Sequence, residues 1–225
     1  MIRRYGTCLL ILIGFLFIPH KGISSPVSSQ DESARIVQQL KEREKSLNTL
    51  TATFIQVKST RLLKEPLHSE GTIYFQAPGM MLCKILNPTP VTLLFKNRLF
   101  LVYYPNTGKS KERYLGNNIL KEYFGMGKPV EEFEKHYAFT LDSIGNDGTY
   151  HLKLIPRQKR MAQRIEIIEM DIAPDQWLPR RIDILEKNGD FTSIRLEFTS
   201  INEPLAAEIF LVDIPDDGRG MGNGK

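Results

Sequence analysis

The feature that most restricts the fold is a period of two in apolar residues, which recurs in short segments along most of the chain. Eleven segments qualify as strands: 50–59, 71–77, 80–86, 91–95, 99–104, 111–115, 137–143, 150–155, 163–172, 178–187 and 191–201. Turn-forming residues separate them, such as Pro78 with Gly79 and Asn188 with Gly189, which suit the dihedral angles of tight turns. Short strands at this spacing predict an antiparallel sheet or barrel.

Two neighbouring segments are apolar on both faces. All six residues of 99–104 are apolar, and so are four of the five residues of 91–95. Because a sheet with one face in water alternates, something apolar must cover the second face of these strands. We expect the helices to supply that cover, and a sheet curled around them would have an apolar interior. From the pattern alone, a filled core is the commoner outcome and a hollow interior is the alternative.

Helical spacing occurs at three places. Ser29 and Glu32 have the spacing of a capping box, and the apolar residues that follow share one helix face: Ile36, Val37, Leu40 and Leu47. Asn118 is placed to cap a second, short helix, and Pro129 suits the first turn of a third, with Val130 and Phe133 on one side. Residues 204–208 predict a helical turn, and 209–214 predict a last extended segment.

The N-terminal 24 residues have the pattern of a secretory signal peptide. Arg3 and Arg4 precede an apolar run at 9–18, and the small residues Gly22 and Ser24 follow it. A membrane anchor is the alternative, but the run is shorter than the roughly 20 apolar residues that a spanning helix needs. We therefore expect cleavage near Ser24 and a soluble periplasmic protein, with no lipid anchor because no cysteine directly follows the apolar run.

The remaining chain divides into one domain, 25–215, and a flexible glycine-rich tail, 216–225. Loss of the leader would reduce the net charge from +4 to about +1, since three of the 30 Lys and Arg residues lie in it and none of the 26 Asp and Glu residues do. This balance gives no sign of nucleic-acid binding. The basic cluster at 157–164 lies between two predicted strands and is interpreted as a solvated loop.

The residues offer no pattern of an enzyme. Cys83 would be the single remaining thiol, so no internal disulfide or zinc site is expected, and we interpret it as a small buried side chain. His68, His136 and His151 lack the spacing of metal ligands, and no nucleophile elbow, P-loop or dinucleotide motif occurs. We therefore expect no catalytic residues, no metal and no cofactor.

Four segments, in order, resemble the LolA family of periplasmic lipoprotein carriers. Residues 53–56, Thr-Phe-Ile-Gln, resemble the F-x-Q segment of the family's first strand. Residues 71–80 look like its second strand and proline-containing turn. Pro90 and the strands after it, ending at Pro105, look like a further family segment, and 209–215 are similar to the family's closing F-x-f-x-x-P. The resemblance covers most of the chain after the leader.

The resemblance implies a specific fold and task. The fold is mainly β (α+β): a strongly curved antiparallel sheet forms an incomplete β-barrel, with helices as a lid over an apolar cavity. The cavity would bind the acyl chains of a lipoprotein between an inner-membrane transporter and an outer-membrane acceptor, with no cofactor and with the carrier acting as a monomer. The alternatives are a free lipid or glycolipid carrier and an envelope sensory or binding module on the same fold.

Candidate cavity residues follow from side-chain type and strand position. On the sheet we expect Phe54, Ile73, Phe75, Leu82, Leu93, Phe95, Leu101 and Tyr103 to line the cavity. From the lid we add Leu120, Tyr123 and Phe124. Family members carry an arginine before the turn proline that ties the lid to the barrel, and here that position is Ala77. The cavity placement predicts that Leu101→Glu folds but does not bind acyl chains.

Overall fold

The computed structural model describes residues 29–96, 99–114 and 130–213. Within these ranges, eleven strands form a single curved, unclosed sheet. The strands are β1 Thr49–Ser59, β2 Leu67–Gln76, β3 Met80–Asn87, β4 Val91–Lys96, β5 Leu99–Tyr104, β6 Lys109–Tyr114, β7 Tyr137–Ile144, β8 Tyr150–Pro156, β9 Ile165–Ile172, β10 Pro179–Glu186 and β11 Phe191–Ile201. The helices are α1 Ser29–Ser46, α2 Val130–His136, α3 Lys159–Ala162 and a 3₁₀ helix, Ala207–Phe210. The predicted fold class is confirmed.

The sheet consists of two antiparallel meanders joined along β1 and β11. Its strand order is β6-β5-β4-β3-β2-β1-β11-β10-β9-β8-β7, so the first and second meanders occupy opposite halves. Phe54 lies opposite Leu196 across the junction, and Gln56 lies opposite Ile194. The sheet edges are β6 and β7, which are not paired with each other in the described residues. We call β1–β6 the first half and β7–β11 the second half.

The register places every side chain on one of two faces, because directly opposed residues of antiparallel strands point to the same side. One face, here called the helix face, carries Phe54, Leu196, Ile182 and Leu152, and α1 packs on it. The opposite face is here called the strap face. A one-residue change of register would exchange the two sets of side chains.

Helix α1 covers the helix face of the second half. Ile36 and Leu40 are buried against Leu152, Leu154 and Ile172 of the sheet. Ser33 adds a directional contact, because its hydroxyl accepts a 2.9 Å hydrogen bond from the backbone N–H of Leu141. Burial of each of the two apolar helix residues contributes about 1.5–3 kcal/mol. The predicted first helix and the predicted helix after Pro129 are both confirmed as elements.

The strap face of the first half has a different cover from the one we predicted. A row of apolar side chains crosses β2 to β5 on this face: Tyr74, Leu82, Leu94 and Leu101. Phe210 is buried against this row, and Leu205, Ile209 and Val212 pack beside it. We call residues 205–212 the C-terminal strap. The expectation that the opening and middle helices cover the second apolar face of these strands is therefore corrected, since the C-terminal strap covers the strap face.

Two local predictions also differ from the structure. The basic segment 157–164, expected to be a loop, contains the short helix α3. The helical turn expected at 204–208 lies slightly later, as the 3₁₀ helix Ala207–Phe210, so the predicted last extended segment begins as helix. The predicted helix after Asn118 lies outside the described residues.

Candidate functional site

The helix face of the first half is an apolar surface on which the structure describes no helix. A cluster there contains Phe54, Ile73, Met81 and Phe95, whose exposed fractions are between 2% and 9%. Half-buried apolar side chains surround it, and in the described residues they all come from strands: Cys83, Ile85, Leu93, Phe100, Ile194 and Leu196. A surface of this kind offers dispersion contacts and no directional bonds.

Five of the eight predicted cavity residues belong to this face. Cross-strand pairing aligns Phe75 with Met81 and Met81 with Phe95, and a parallel row aligns Ile73 with Cys83 and Cys83 with Leu93. Phe54 lies on the same face beside Leu196. The structure therefore brings together Phe54, Ile73, Phe75, Leu93 and Phe95.

The other three predicted sheet residues lie on the strap face. Leu82 and Leu101 are buried beneath Phe210, with exposed fractions of 0% and 3%, and Tyr103 shares their side of the sheet. Because one cavity cannot be lined from both sides of a sheet, we exclude these three from the candidate surface. The strands around them are apolar on both faces, so side-chain type alone could not show which face was which. The lid candidates Leu120, Tyr123 and Phe124 lie outside the described residues.

Gly71 allows neighbouring strands of the sheet to approach each other closely within this surface. Gly71 lies directly opposite Phe54, and a β-carbon at position 71 would clash with the backbone carbonyl of Lys84 and lie 2.9 Å from the Phe54 ring. Nearby, the rings of Phe95 and Phe100 stack with centroids 4.5 Å apart. Sequence reasoning missed Met81, Cys83 and Phe100. A strict period of two from Ile73 would have found Met81 and Cys83. It would have missed Phe100, because the pairing of β4 with β5 places Phe100 opposite Phe95 and so changes the phase.

The single thiol of the described chain lies on this face. Cys83 is half-buried among the apolar side chains of the cluster. Burial raises the pKa of its thiol to about 11, because the apolar surroundings disfavour the thiolate. Cys83 is therefore a poor nucleophile at neutral pH and contributes an apolar surface.

Charged side chains tie α1 to α2 and to the sheet. Lys41 of α1 pairs with Glu134 of α2 at 2.6 Å, which raises the pKa of Lys41, and the Val130 backbone N–H donates a 2.8 Å hydrogen bond to Glu44. Ala77 occupies the position for which the family resemblance implies an arginine that ties the lid to the barrel. Its side chain carries no charge, and its backbone N–H donates a hydrogen bond to the Asn48 carbonyl. In the described residues, the helices are thus connected by side chains of α1.

The start of α1 is fixed by an aromatic platform. Arg35 hydrogen-bonds to Glu32, lowering the pKa of that carboxyl group, and donates to the Tyr150 hydroxyl at 3.2 Å. The Tyr150 and Trp177 rings stack at 5.2 Å, and the Arg35 guanidinium lies 5.8 and 6.0 Å from their centroids. Cation–π contact and stacking together hold the helix end on the second half of the sheet.

The strap face of the second half carries charged residues that pair with one another. Asp171 lies 2.6 Å from His151 and 3.0 Å from Arg181, and Lys153 lies 2.7 Å from Asp142, which raises the pKa of Lys153. A shallow depression of about 260 Å³ lies among them. Across residues 29–96, 99–114 and 130–213, no cluster of His, Cys, Asp and Glu has the make-up of a metal site. The arrangement is a cross-strand ion-pair ladder.

The fold and the candidate surface define a class: a curved, unclosed antiparallel sheet with helices and a large apolar surface on the same face. Residues 45–213 match the family described as "Outer membrane lipoprotein carrier protein LolA". The chain belongs to the LolA family. No curated protein matches the chain.

Solved structures with the same fold have diverged far in sequence. The chain is similar to an uncharacterized conserved protein from Thermus thermophilus (TM-score 0.53, 10% identity, 83% of this chain and 96% of that one). It is similar to MucB (0.52, 12%, 81% and 63%) and to the Mycobacterium tuberculosis lipoprotein LppX (0.51, 11%, 79% and 99%). No helix in the part of the chain that the structure describes is both long and apolar enough to cross a membrane.

Proposed function

We propose that this protein is a periplasmic carrier that binds the acyl chains of lipoproteins and delivers them from the inner to the outer membrane. The observation that carries the proposal is the apolar helix face of β1–β5 in a chain of the LolA family. Phe54, Ile73, Phe75, Leu93 and Phe95 are the proposed contacts. An inner-membrane transporter and an outer-membrane acceptor are the expected protein partners, and the N-terminal 24 residues would direct export.

The chemistry of the surface suits reversible binding of acyl chains. Each buried methylene of an acyl chain contributes about 0.8 kcal/mol, so a long chain is held firmly by contact area alone. Because the surface provides no directional bonds, the acyl chain can dissociate when another apolar surface is available to bind it. Half-buried Leu93 and Phe75 can gain further burial when a ligand covers them.

The same surface argues for binding without catalysis. The proposed contacts are hydrocarbon side chains, and the thiol among them has a raised pKa. The His151 and Asp171 pair faces away from this surface, because both side chains lie on the strap face. A binding role therefore needs neither a cofactor nor covalent chemistry.

A second candidate is a binding module that recognises a protein partner. The observation that favours it is the partly exposed ion-pair ladder on the strap face, together with a fold similar to that of MucB, which has also been solved in complex with MucA from Pseudomonas aeruginosa. Such a module would carry no acyl ligand. The presence or absence of a bound lipid therefore separates the two candidates.

Native mass spectrometry of protein purified from its own periplasm tests the proposal, with solvent extraction of whatever is bound. Bound lipoprotein supports the carrier, whereas bound phospholipid or glycolipid alone redirects it to a free-lipid carrier. A ligand-free protein that also fails to bind a fluorescent fatty acid contradicts acyl-chain binding and favours the partner-binding module.

A matched pair of variants locates the site. Leu93→Asp places a charge on the half-buried helix face, and we expect at least a tenfold loss of fatty-acid affinity, because a charge opposes acyl burial. Ile55→Asp is the control, since Ile55 follows Phe54 in β1 but is 55% exposed on the strap face. Equal affinities for the two variants would place the binding surface elsewhere.

A further inference from the structure

The loop between β1 and β2 exposes apolar side chains at one end of the sheet. Leu62 is 94% exposed, Leu63 is 52% exposed, and Leu67, the first residue of β2, is 41% exposed. All eight residues from 61 to 68 are exposed. We call residues 60–67 the leucine tip. Isolated exposed leucines are ordinary, but three within six residues on one loop form a patch that favours contact with an apolar phase.

The base of the leucine tip is held in place. The Arg61 backbone N–H donates a 3.2 Å hydrogen bond to Asp190, in the turn between β10 and β11. The Arg61 guanidinium packs over Gly189 so closely that a β-carbon there would lie 3.0 Å from it. Leu63 closes a local turn through its N–H and the Thr60 carbonyl. Because the base of the loop is already ordered, inserting the leucines costs little further conformational entropy.

The charges around the leucines indicate which apolar phase they meet. Arg61 and Lys64 are both exposed, Lys58 is half-buried just below the loop, and Glu65 is the one acidic residue in 60–67. Leucines flanked by basic side chains match a bilayer with anionic headgroups, where the leucines enter the acyl boundary and the lysines reach the phosphates. Neutral or acidic surroundings would not match such a surface.

The leucine tip is also continuous with the proposed binding surface. Leu67 pairs with Lys58, and Phe54 pairs with Gly71, so Leu67 lies on the helix face of the same hairpin as Phe54. Lys58 lies four residue steps along β1 from Phe54, a distance of about 13 Å. A bilayer at the tip would therefore lie within an acyl chain's length of the binding surface.

We propose that the leucine tip is a membrane-docking element that inserts Leu62 and Leu63 into an anionic phospholipid bilayer. The proposal rests on the proposed carrier function only for its purpose, which is to bring the helix face to the membrane where cargo transfers. The contact itself requires only the leucines, the basic side chains and the lipid.

Flotation with phospholipid vesicles tests the proposal, using protein from its native host with its natural N-terminus. Wild type should float with vesicles of phosphatidylethanolamine and phosphatidylglycerol, and bind them more strongly than phosphatidylcholine vesicles. Leu62→Ser/Leu63→Ser should bind at least about tenfold more weakly. Leu211→Ser is the control, because Leu211 is 67% exposed on the strap. Lys64→Gln should reduce the preference for anionic vesicles, whereas Lys111→Gln on β6 should not.

The result that overturns the proposal is a wild type that binds neither vesicle, or a double serine variant that binds as well as wild type. A fluorescent fatty acid, titrated into the same samples, separates this proposal from the proposed function. Vesicle binding that depends on Leu62 and Leu63 without fatty-acid binding would support the docking element and contradict the carrier. A Leu62→Trp variant quenched by brominated phospholipid, with Leu211→Trp unquenched, would confirm insertion directly.

Discussion

The two halves of the sheet bury their apolar faces in opposite ways. In the second half, α1 covers the helix face, and the strap face carries paired charges. In the first half, the C-terminal strap covers the strap face, and the helix-face cluster has only strand residues among its described members. The second half thus has a core filled by its own helix, whereas the first half presents the surface we propose for ligand. The predictions below test this division.

The largest expected effect is from a charge placed under the C-terminal strap. Leu101→Glu should lower the free energy of unfolding by about 4 kcal/mol or more, because it removes a buried leucine and places a carboxylate beside Leu82 and Phe210. Urea denaturation followed by circular dichroism measures the loss. This reverses the sequence-based expectation that the variant folds without binding. A stable Leu101→Glu protein that has lost acyl binding would restore Leu101 to the cavity and contradict the division.

A smaller effect is expected in the filled half. Ile36→Ala leaves a cavity between α1 and the sheet and should lower the free energy of unfolding by about 3 kcal/mol. Fatty-acid affinity should stay within about twofold, because Ile36 packs on the second half. The control is Gln38→Ala, an exposed change on the same helix. A large loss of affinity in Ile36→Ala, measured under conditions where it is folded, would mean that the binding surface extends beneath α1.

Gly71 tests how closely the strands and side chains of the first half pack together. Gly71→Ala should lower the free energy of unfolding by about 2–3 kcal/mol, since the added methyl group meets the Lys84 carbonyl and the Phe54 ring. Gly79→Ala is the comparison, because Gly79 has open space around it and only a positive φ of 86° to oppose a side chain. That change should lower stability by about 1 kcal/mol. Thermal unfolding of both variants measures the difference, and equal losses would show that steric contact at Gly71 is unimportant.

The sequence predicted the strands well and the faces poorly. Period-two spacing and turn residues identified all eleven strands, because each signal is local to a few residues. The face of Leu101 depends on register across β3 to β5, where apolar residues occupy both sides and no alternation remains to read. The C-terminal strap lies more than 100 positions after Leu101 in the sequence, and a local sequence pattern does not indicate so distant a contact.

The smallest effect concerns Cys83, a reporter already present on the proposed surface. With the pKa of its thiol at about 11, alkylation by iodoacetamide should be slow at pH 8 and should keep accelerating above pH 9, where an ordinary thiol approaches its maximum rate. In protein that begins at residue 25, Cys83 is the single thiol, so mass spectrometry of the intact chain measures the rate. At fixed pH, saturating fatty acid should slow alkylation at least twofold, because a ligand on the helix face covers the cluster around Cys83. The unfolded protein in urea, labelled at the same pH with and without fatty acid, controls for effects on the reagent. Unchanged alkylation of the folded protein at saturating ligand would mean that acyl chains bind away from the first half.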